Sequence, residues 1–285
     1  MTRAGLALRL GALGAALGLL APAQIVANRL GARIAGRIPI AFHSLFLRLF
    51  GVRLEIRGTA PAPGTPTLVL ANHVSWLDIP VMASLLPVSF IAKQEIAGWP
   101  LIGTMARLQR CVFLDRTRKA ATATVNAVVA GRLAAGDAIL LYPEGTTGDG
   151  TRLLPFRSSL VGAAGAALAA GSGPTEIRLQ PLAIAYARRN GLPVARHERP
   201  EIAWYGDMEL APHLRAFVRG GPLDVVVTWG EPIAFGPGSD RKGATLRAEA
   251  AIRQAVAASA IPSGAPTPYE EGSGRALRHA EPVRT

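Results

Sequence analysis

The chain opens with a long stretch of apolar positions. From Leu10 to Ala27 it is almost uncharged and rich in Gly, Ala and Leu, with Arg3 and Arg9 before it and Arg29, Arg33 and Arg37 after. Basic flanks around an apolar run of about 18 residues predict a membrane anchor, marginal in length for a hydrocarbon core of about 30 Å and interrupted by Pro22, so that spanning and dipping both remain open. A secretory signal is the competing reading, with Ala21-Pro22-Ala23 as a loose cleavage site. Ile34 to Leu54 then sets Ile38, Ile40, Phe42, Leu45, Phe46, Leu49 and Phe50 at three- and four-residue intervals among Arg37, His43, Arg48 and Arg53. This spacing predicts an amphipathic helix on an anionic interface, or a helix of the core.

The pattern changes after Gly58. A proline-rich linker, Ala60 to Pro66, leads into short apolar runs that alternate with helix-like stretches. Strands are expected at Thr67–Ala71, Val88–Ala92, Cys111–Leu114, Ala138–Tyr142, Leu179–Tyr186 and Asp224–Trp229, and helices at Lys119–Leu133, Ser158–Ala170 and Arg241–Ala258. Such alternation defines an α/β fold with a mixed, largely parallel sheet flanked by helices. The Pro-, Gly-, Ser- and charge-rich end from Pro262 to Thr285 reads as disordered. The expected organisation is therefore membrane-anchoring helices over 1–57, a catalytic domain over 58–260 and a tail over 261–285.

Composition sharpens this picture in two places. Charged residues make up 18% of the chain, below the roughly 25% usual for soluble domains, which points to apolar surface facing lipid. The 31 basic against 19 acidic residues give a net charge of +12, a surface that attracts polyanions. Nucleic acid ranks low among these, because aromatics are 6% and no helix-turn-helix, zinc-finger or RNP signature is present. Anionic lipid and an acidic carrier remain. The single Cys111 excludes an internal disulfide and sits in an apolar segment. The five histidines, at positions 43, 73, 197, 213 and 279, lack zinc-ligand spacing, so no metal is expected.

One stretch carries chemistry. Asn72-His73-Val74-Ser75-Trp76-Leu77-Asp78 follows the apolar run Leu68–Ala71 and places an aspartate five positions after a histidine. A carboxylate folded back on one imidazole nitrogen leaves the other free to accept a proton, so His73 and Asp78 form a candidate catalytic dyad. His73, Arg116 and Glu144 each fall just beyond the C-terminal end of an expected strand, the edge where open α/β sheets bind ligands. The Gly-x-Ser-x-Gly elbow of hydrolases is absent.

With Val112-Phe113-Leu114-Asp115-Arg116, Leu141-Tyr142-Pro143-Glu144-Gly145-Thr146-Thr147 and Gln180-Pro181-Leu182-Ala183-Ile184, the histidine stretch resembles the four sequence blocks of the glycerolipid acyltransferase family, over roughly positions 45 to 235. The resemblance implies transfer of an acyl chain from acyl-ACP or acyl-CoA, as co-substrate rather than bound cofactor, to a lipid hydroxyl without a covalent enzyme intermediate. His73 would then be the base and Asp78 would hold its tautomer. Asn72 would brace the turn, and Arg116 would capture a phosphate bidentately. Glu144 and Gly145 would approach a hydroxyl or a basic head group, and Pro181 would shape the acyl pocket wall. The implied place is a bacterial-type inner membrane, on its cytoplasmic face.

The block around Glu144 departs from the glycerol-phosphate members. Where an arginine usually follows Glu-Gly-Thr, this chain has Thr147, then Gly148-Asp149-Gly150 and Leu154-Pro155-Phe156-Arg157. That pattern resembles the subgroup that acylates lyso-ornithine lipid, although Arg152 or Arg157 would restore the missing charge. Because Arg116 is retained, the first expectation is 1-acylglycerol-3-phosphate as acceptor, giving phosphatidic acid; O-acylation of lyso-ornithine lipid to ornithine lipid is the alternative. Two rivals from other classes are a non-enzymatic basic membrane-binding protein and a secreted lipid hydrolase, the latter requiring cleavage after Ala23.

Overall fold

The computed structural model describes residues 2–114, 119–169 and 175–259; Arg116 and the expected disordered tail lie outside them. In chain order the elements are helices α1 (Arg3–Arg29) and α2 (Arg37–Leu49), strands β1 (Val52–Arg57) and β2 (Thr67–Ala71), α3 (Asp78–Ala83), β3 (Val88–Lys93), α4 (Ile102–Leu108), β4 (Val112–Leu114), α5 (Lys119–Ala134), β5 (Ala138–Leu141), α6 (Gly162–Ala169), β6 (Ile177–Arg189), β7 (Leu192–Pro193), α7 (Leu210–Arg219), β8 (Leu223–Trp229), β9 (Ile233–Phe235) and α8 (Arg241–Ser259).

The main sheet runs in the order β1-β8-β6-β2-β5-β3-β4. Strands β6, β2, β5, β3 and β4 are mutually parallel, whereas β8 pairs antiparallel with β6 and β1 parallel with β8. Every residue of β2 is buried, because helices cover both faces of the sheet. The alternation of side chains sorts the core into two layers. Leu68 and Leu70 join Ile139, Leu141, Ile177 and Leu179 beneath α5, α6 and α8, while Val69 and Ala71 join Leu140, Leu182 and Ile184 beneath α2, α3 and α7. Each fully buried leucine contributes on the order of 2 kcal/mol of transfer free energy.

All six expected strands exist, and three further strands appear among the described residues. The expected amphipathic helix over Ile34–Leu54 stops at Leu49 instead. Gly51 adopts φ +69, and Val52, Leu54 and Ile56 then alternate with Arg53, Glu55 and Arg57 as the edge strand β1. The last residues assigned to the anchor thus belong to the main sheet. Helix α2 packs its own face on the core, burying Leu47 and setting the Phe46 ring edge-on to Trp76 at 6.1 Å between centroids. Its Arg37 and Arg48 stay exposed.

Helix α1 spans 27 residues, about 40 Å at the α-helical rise, longer than its uncharged stretch alone because the flanking arginines are helical too. It is long and apolar enough to cross a membrane, and it exposes Leu8, Leu10, Leu19 and Val26. Near its C-terminal end the polarity inverts. Gln24 Nε2 donates to Ala35 O and Leu108 O at 3.0 and 3.3 Å, and Asn28 Nδ2 donates to Leu108 O at 2.9 Å. These bonds fasten the helix to the end of α4. Beyond that contact, Trp99, Leu101 and Ile102 form a further exposed apolar group.

Deleting Met1–Gly36 removes this apolar surface, and the truncated protein is expected to move from the membrane pellet toward the supernatant on fractionation. Residual binding through the arginines of α2 should fall with salt, since attraction to anionic lipid is screened over about 8 Å at physiological ionic strength. Retention in the pellet at high salt would place the anchor elsewhere.

Candidate active site

Strand β2 ends at Ala71, and the chain turns through residues 72–77 before α3 begins at Asp78. The turn is shaped by one carboxylate. Asp78, fully buried, accepts through Oδ2 from Val74 N at 2.8 Å, Ser75 N at 3.0 Å and His73 Nδ1 at 2.8 Å. Its Oδ1 accepts from the Tyr186 hydroxyl at 2.5 Å. Because an ionised carboxylate only accepts, Nδ1 of His73 carries the proton and Nε2 keeps its lone pair. No other hydrogen bond to the ring is made among the described residues, and the His73 side chain is 20% exposed. The dyad expected from the five-residue spacing is therefore assembled in space.

The imidazole lies flat on Tyr142, with ring centroids 3.8 Å apart and planes 11° from parallel. Burial, reinforced by the charge of Asp78, pushes the Tyr142 phenol well above its usual range, and the same two causes act on Tyr186. Both phenols therefore stay neutral through the physiological range. The neutral Tyr142 ring thus forms the floor beneath the imidazole. The two tyrosines lie in expected strands, but no spacing rule links Tyr186 to an aspartate 108 positions earlier in the chain.

The neighbouring site residues turn inward and hold the turn. Asn72 Nδ2 donates to Ile184 O at 2.9 Å and its Oδ1 accepts from Ile184 N at 2.8 Å, which locks the end of β2 to β6. Glu144, 3% exposed, accepts from His73 N at 2.7 Å and from Leu154 N at 2.9 Å. Both its oxygens are engaged by backbone amides, so the carboxylate bridges the ends of β2 and β5 and the loop beyond. Burial pushes its pKa up to about 7; the charges of Asp78 and Glu249 add to the rise, and the two amides oppose it.

Gly145 follows in the left-handed region at φ +76, which only glycine adopts without strain. Thr146 is exposed and Thr147 half-buried. Pro181, buried within β6, accepts from Gly230 N at 2.9 Å through its carbonyl. Cys111 and His213 stand outside this group. Burial pushes the Cys111 thiol up to about 11, and His213 accepts from Trp76 Nε1 at 3.0 Å and contacts Ala203 O at 3.0 Å.

The site thus joins a buried carboxylate to an imidazole whose second ring nitrogen makes no hydrogen bond among the described residues, at a sheet edge lined by loops. The acyltransferase family model matches residues 53–185, which contain His73, Asp78, Tyr142 and Glu144. The chain is 45% identical over 217 residues to the lyso-ornithine lipid O-acyltransferase of Brucella abortus, covering 76% of this chain and 80% of that one. It is 40% identical over 124 residues to the 1-acyl-sn-glycerol-3-phosphate acyltransferase of Neisseria gonorrhoeae, covering 44% and 49%. The crystal structure of the 1-acyl-sn-glycerophosphate (LPA) acyltransferase from Thermotoga maritima superposes with a TM-score of 0.60 at 19% identity, over 85% of this chain and 87% of that one, and shares the fold. The chain belongs to the acyltransferase family, whose members move an acyl group from a donor to a lysolipid.

The raised pKa of Glu144 makes a stability prediction. A carboxyl whose folded value, about 7, exceeds its ordinary value of 4.5 binds more protons in the folded state between those limits. Its contribution is whole below about pH 4.5 and lost as pH rises through about 7. Relative to Glu144→Gln, which cannot titrate, the wild type should lose on the order of 3 kcal/mol across that window. Denaturant unfolding of both proteins at several pH values measures it, and parallel profiles would contradict it.

Proposed function

We propose that the protein transfers a fatty acyl chain from a thioester donor to the free hydroxyl of lyso-ornithine lipid, with His73 as general base and Asp78 as its orienting partner. The observation that carries the chemistry is the Nδ1–Oδ2 hydrogen bond of 2.8 Å beside an uncommitted Nε2. Nε2 takes the hydroxyl proton as the oxygen attacks the thioester carbonyl, the carbon–sulfur bond then breaks, and the imidazolium returns the proton to the departing thiolate. Assistance of this kind is worth roughly 100- to 10,000-fold in rate. Asp78 stabilises the imidazolium between the two transfers.

For the acceptor, two observations favour lyso-ornithine lipid over the glycerophosphate placed first on motif grounds. Thr147 stands where a second phosphate-binding arginine is expected, and the relative named for lyso-ornithine lipid aligns over three quarters of this chain, against 44% for the glycerophosphate relative. The glycerophosphate remains the second reading, favoured by Arg116. The thioester is carried by acyl carrier protein or coenzyme A, both acidic and complementary to the +12 charge. Both carriers place the reaction on the cytoplasmic face of the membrane.

His73→Ala should reduce transfer at least about 100-fold, and its bonds to Glu144 and Gly148, made by the backbone, should survive the substitution. Asp78→Asn should retain weak activity. Tyr186→Phe should lower kcat with little change in KM, since its hydroxyl is bonded to Asp78. Steady-state kinetics on both acceptors with both thioesters measures all three, and wild-type turnover by His73→Ala would sink the mechanism.

Thr147→Arg separates the acceptors. It should impair lyso-ornithine lipid, whose amine an added cation repels, and help or leave unchanged lysophosphatidic acid. Opposite responses would reverse the assignment.

A further inference from the structure

The loop after Glu144 walls one side of an open cleft of about 450 Å³ lined by Asp149, Thr151, Val194, Arg196 and Arg199. The volume is in the range that small ligands occupy. The cleft adjoins the dyad through the backbone. Gly148 N donates to His73 O at 2.8 Å, and Trp204 N, a few residues beyond Arg199, donates to Val74 O at 2.9 Å. A Cβ at Gly150 would sit 3.1 Å from the Val74 side chain. The two walls are thus bonded to the base and to the residue after it.

The charges in this cleft are of both signs, and no ion pair joins Asp149 to Arg196 or Arg199 among the described residues. Asp149 Oδ1 accepts from Thr151 N at 2.9 Å and Thr151 Oγ1 at 2.6 Å, while Oδ2 has no hydrogen bond among the described residues. Its bonds to Thr151, with Arg152 and Arg199 nearby, hold the carboxyl below its usual range, so it is ionised at neutral pH. Arg199 Nη1 donates to Gly150 O at 2.6 Å, which fixes the guanidinium against the loop. Arg196 is exposed and makes no hydrogen bond or ion pair among the described residues.

A phosphate monoester would meet Asp149 as a like charge. An α-amino-acid head group would not: ornithine presents a carboxylate at one end and a primary ammonium at the other. We infer that this cleft is the head-group subsite of the acceptor, binding a zwitterion with its ammonium on Asp149 and its carboxylate on Arg196 and Arg199. The inference rests on the acceptor reading above and adds to it the residues that would make the selection.

The test uses the full chain in membranes and four reagents: lyso-ornithine lipid, its side-chain N-acetylated derivative, lysophosphatidic acid as substrate or competitor, and a fixed thioester donor. Asp149→Asn preserves the oxygen that holds Thr151 and removes the charge. Wild type should prefer the free amine over the acetylated lipid by about tenfold, and Asp149→Asn should lose that preference. Arg196→Gln, at an exposed position that disturbs no packing, should raise the KM for lyso-ornithine lipid several-fold with kcat little changed. Lysophosphatidic acid should bind Asp149→Asn as well as or better than wild type.

Because the preference is a ratio within one enzyme, partial misfolding cannot imitate its loss. An Asp149→Asn enzyme that keeps the wild-type preference, with an unchanged KM in Arg196→Gln, overturns the cleft and leaves the acceptor reading standing. A wild type that transfers to lysophosphatidic acid and not to lyso-ornithine lipid overturns both.

Discussion

The site depends on a buried charge. A carboxylate withdrawn wholly from water costs several kcal/mol unless its lone pairs are met by donors, and Asp78 is met by four: two backbone amides of its own turn, the His73 ring and the Tyr186 hydroxyl. Each donor is thereby held in place. The amides of Val74 and Ser75 force the turn after β2 into a single shape, the ring nitrogen sets the plane of the imidazole, and the phenol ties the turn to β6, the central strand against which β2, β8 and β9 all pair. Loss of the carboxylate would leave these donors buried without acceptors. The dyad and its supporting strands are therefore one structural unit.

A second tier of bonds surrounds this unit and uses polar residues that motif reasoning assigns to substrate. Asn72 and Glu144 spend all the contacts described for them on backbone groups. Glu249 on α8 adds a bond to Phe156 N at 2.9 Å, and Pro143 O accepts from Arg157 N at 2.9 Å. The loop from Gly145 to Arg157 is thus pinned along its length, and the charges it carries are presented on a rigid frame. Such pre-organisation is what an acceptor needs if its hydroxyl is to meet a base within a hydrogen bond's reach.

The apolar N-terminal helix is joined to this frame by polar contacts. Gln24 and Asn28 bond to Leu108 O, while Leu6 and Leu13 pack against the core layer that holds α2 and α3. The sheet that carries the His73–Asp78 pair and the helix that exposes Leu8, Leu10, Leu19 and Val26 are therefore mechanically connected. A lysolipid acceptor resides in a membrane and an acyl donor must reach it there. A basic protein with one apolar arm has the surface chemistry to bring them together.

The primary structure by itself determined the α/β class, six strands, the principal helices and the pairing of His73 with Asp78, because hydrophobic period and a five-residue spacing are local properties that survive without a fold. The short edge strand β1 was legible in principle, since Val52, Leu54 and Ile56 alternate with charged residues, but the apolar run leading into it masks the change of period at Gly51. What only the tertiary structure decided are the long-range partners: Tyr186 reaching Asp78 across 108 positions, Asn72 locking to Ile184 across 112, and Arg199 closing on Gly150 across 49. Glu144 turned inward for the same reason. A carboxylate's role follows from which donors surround it, and that is set by strand order and loop path, neither of which a single sequence encodes in its local pattern.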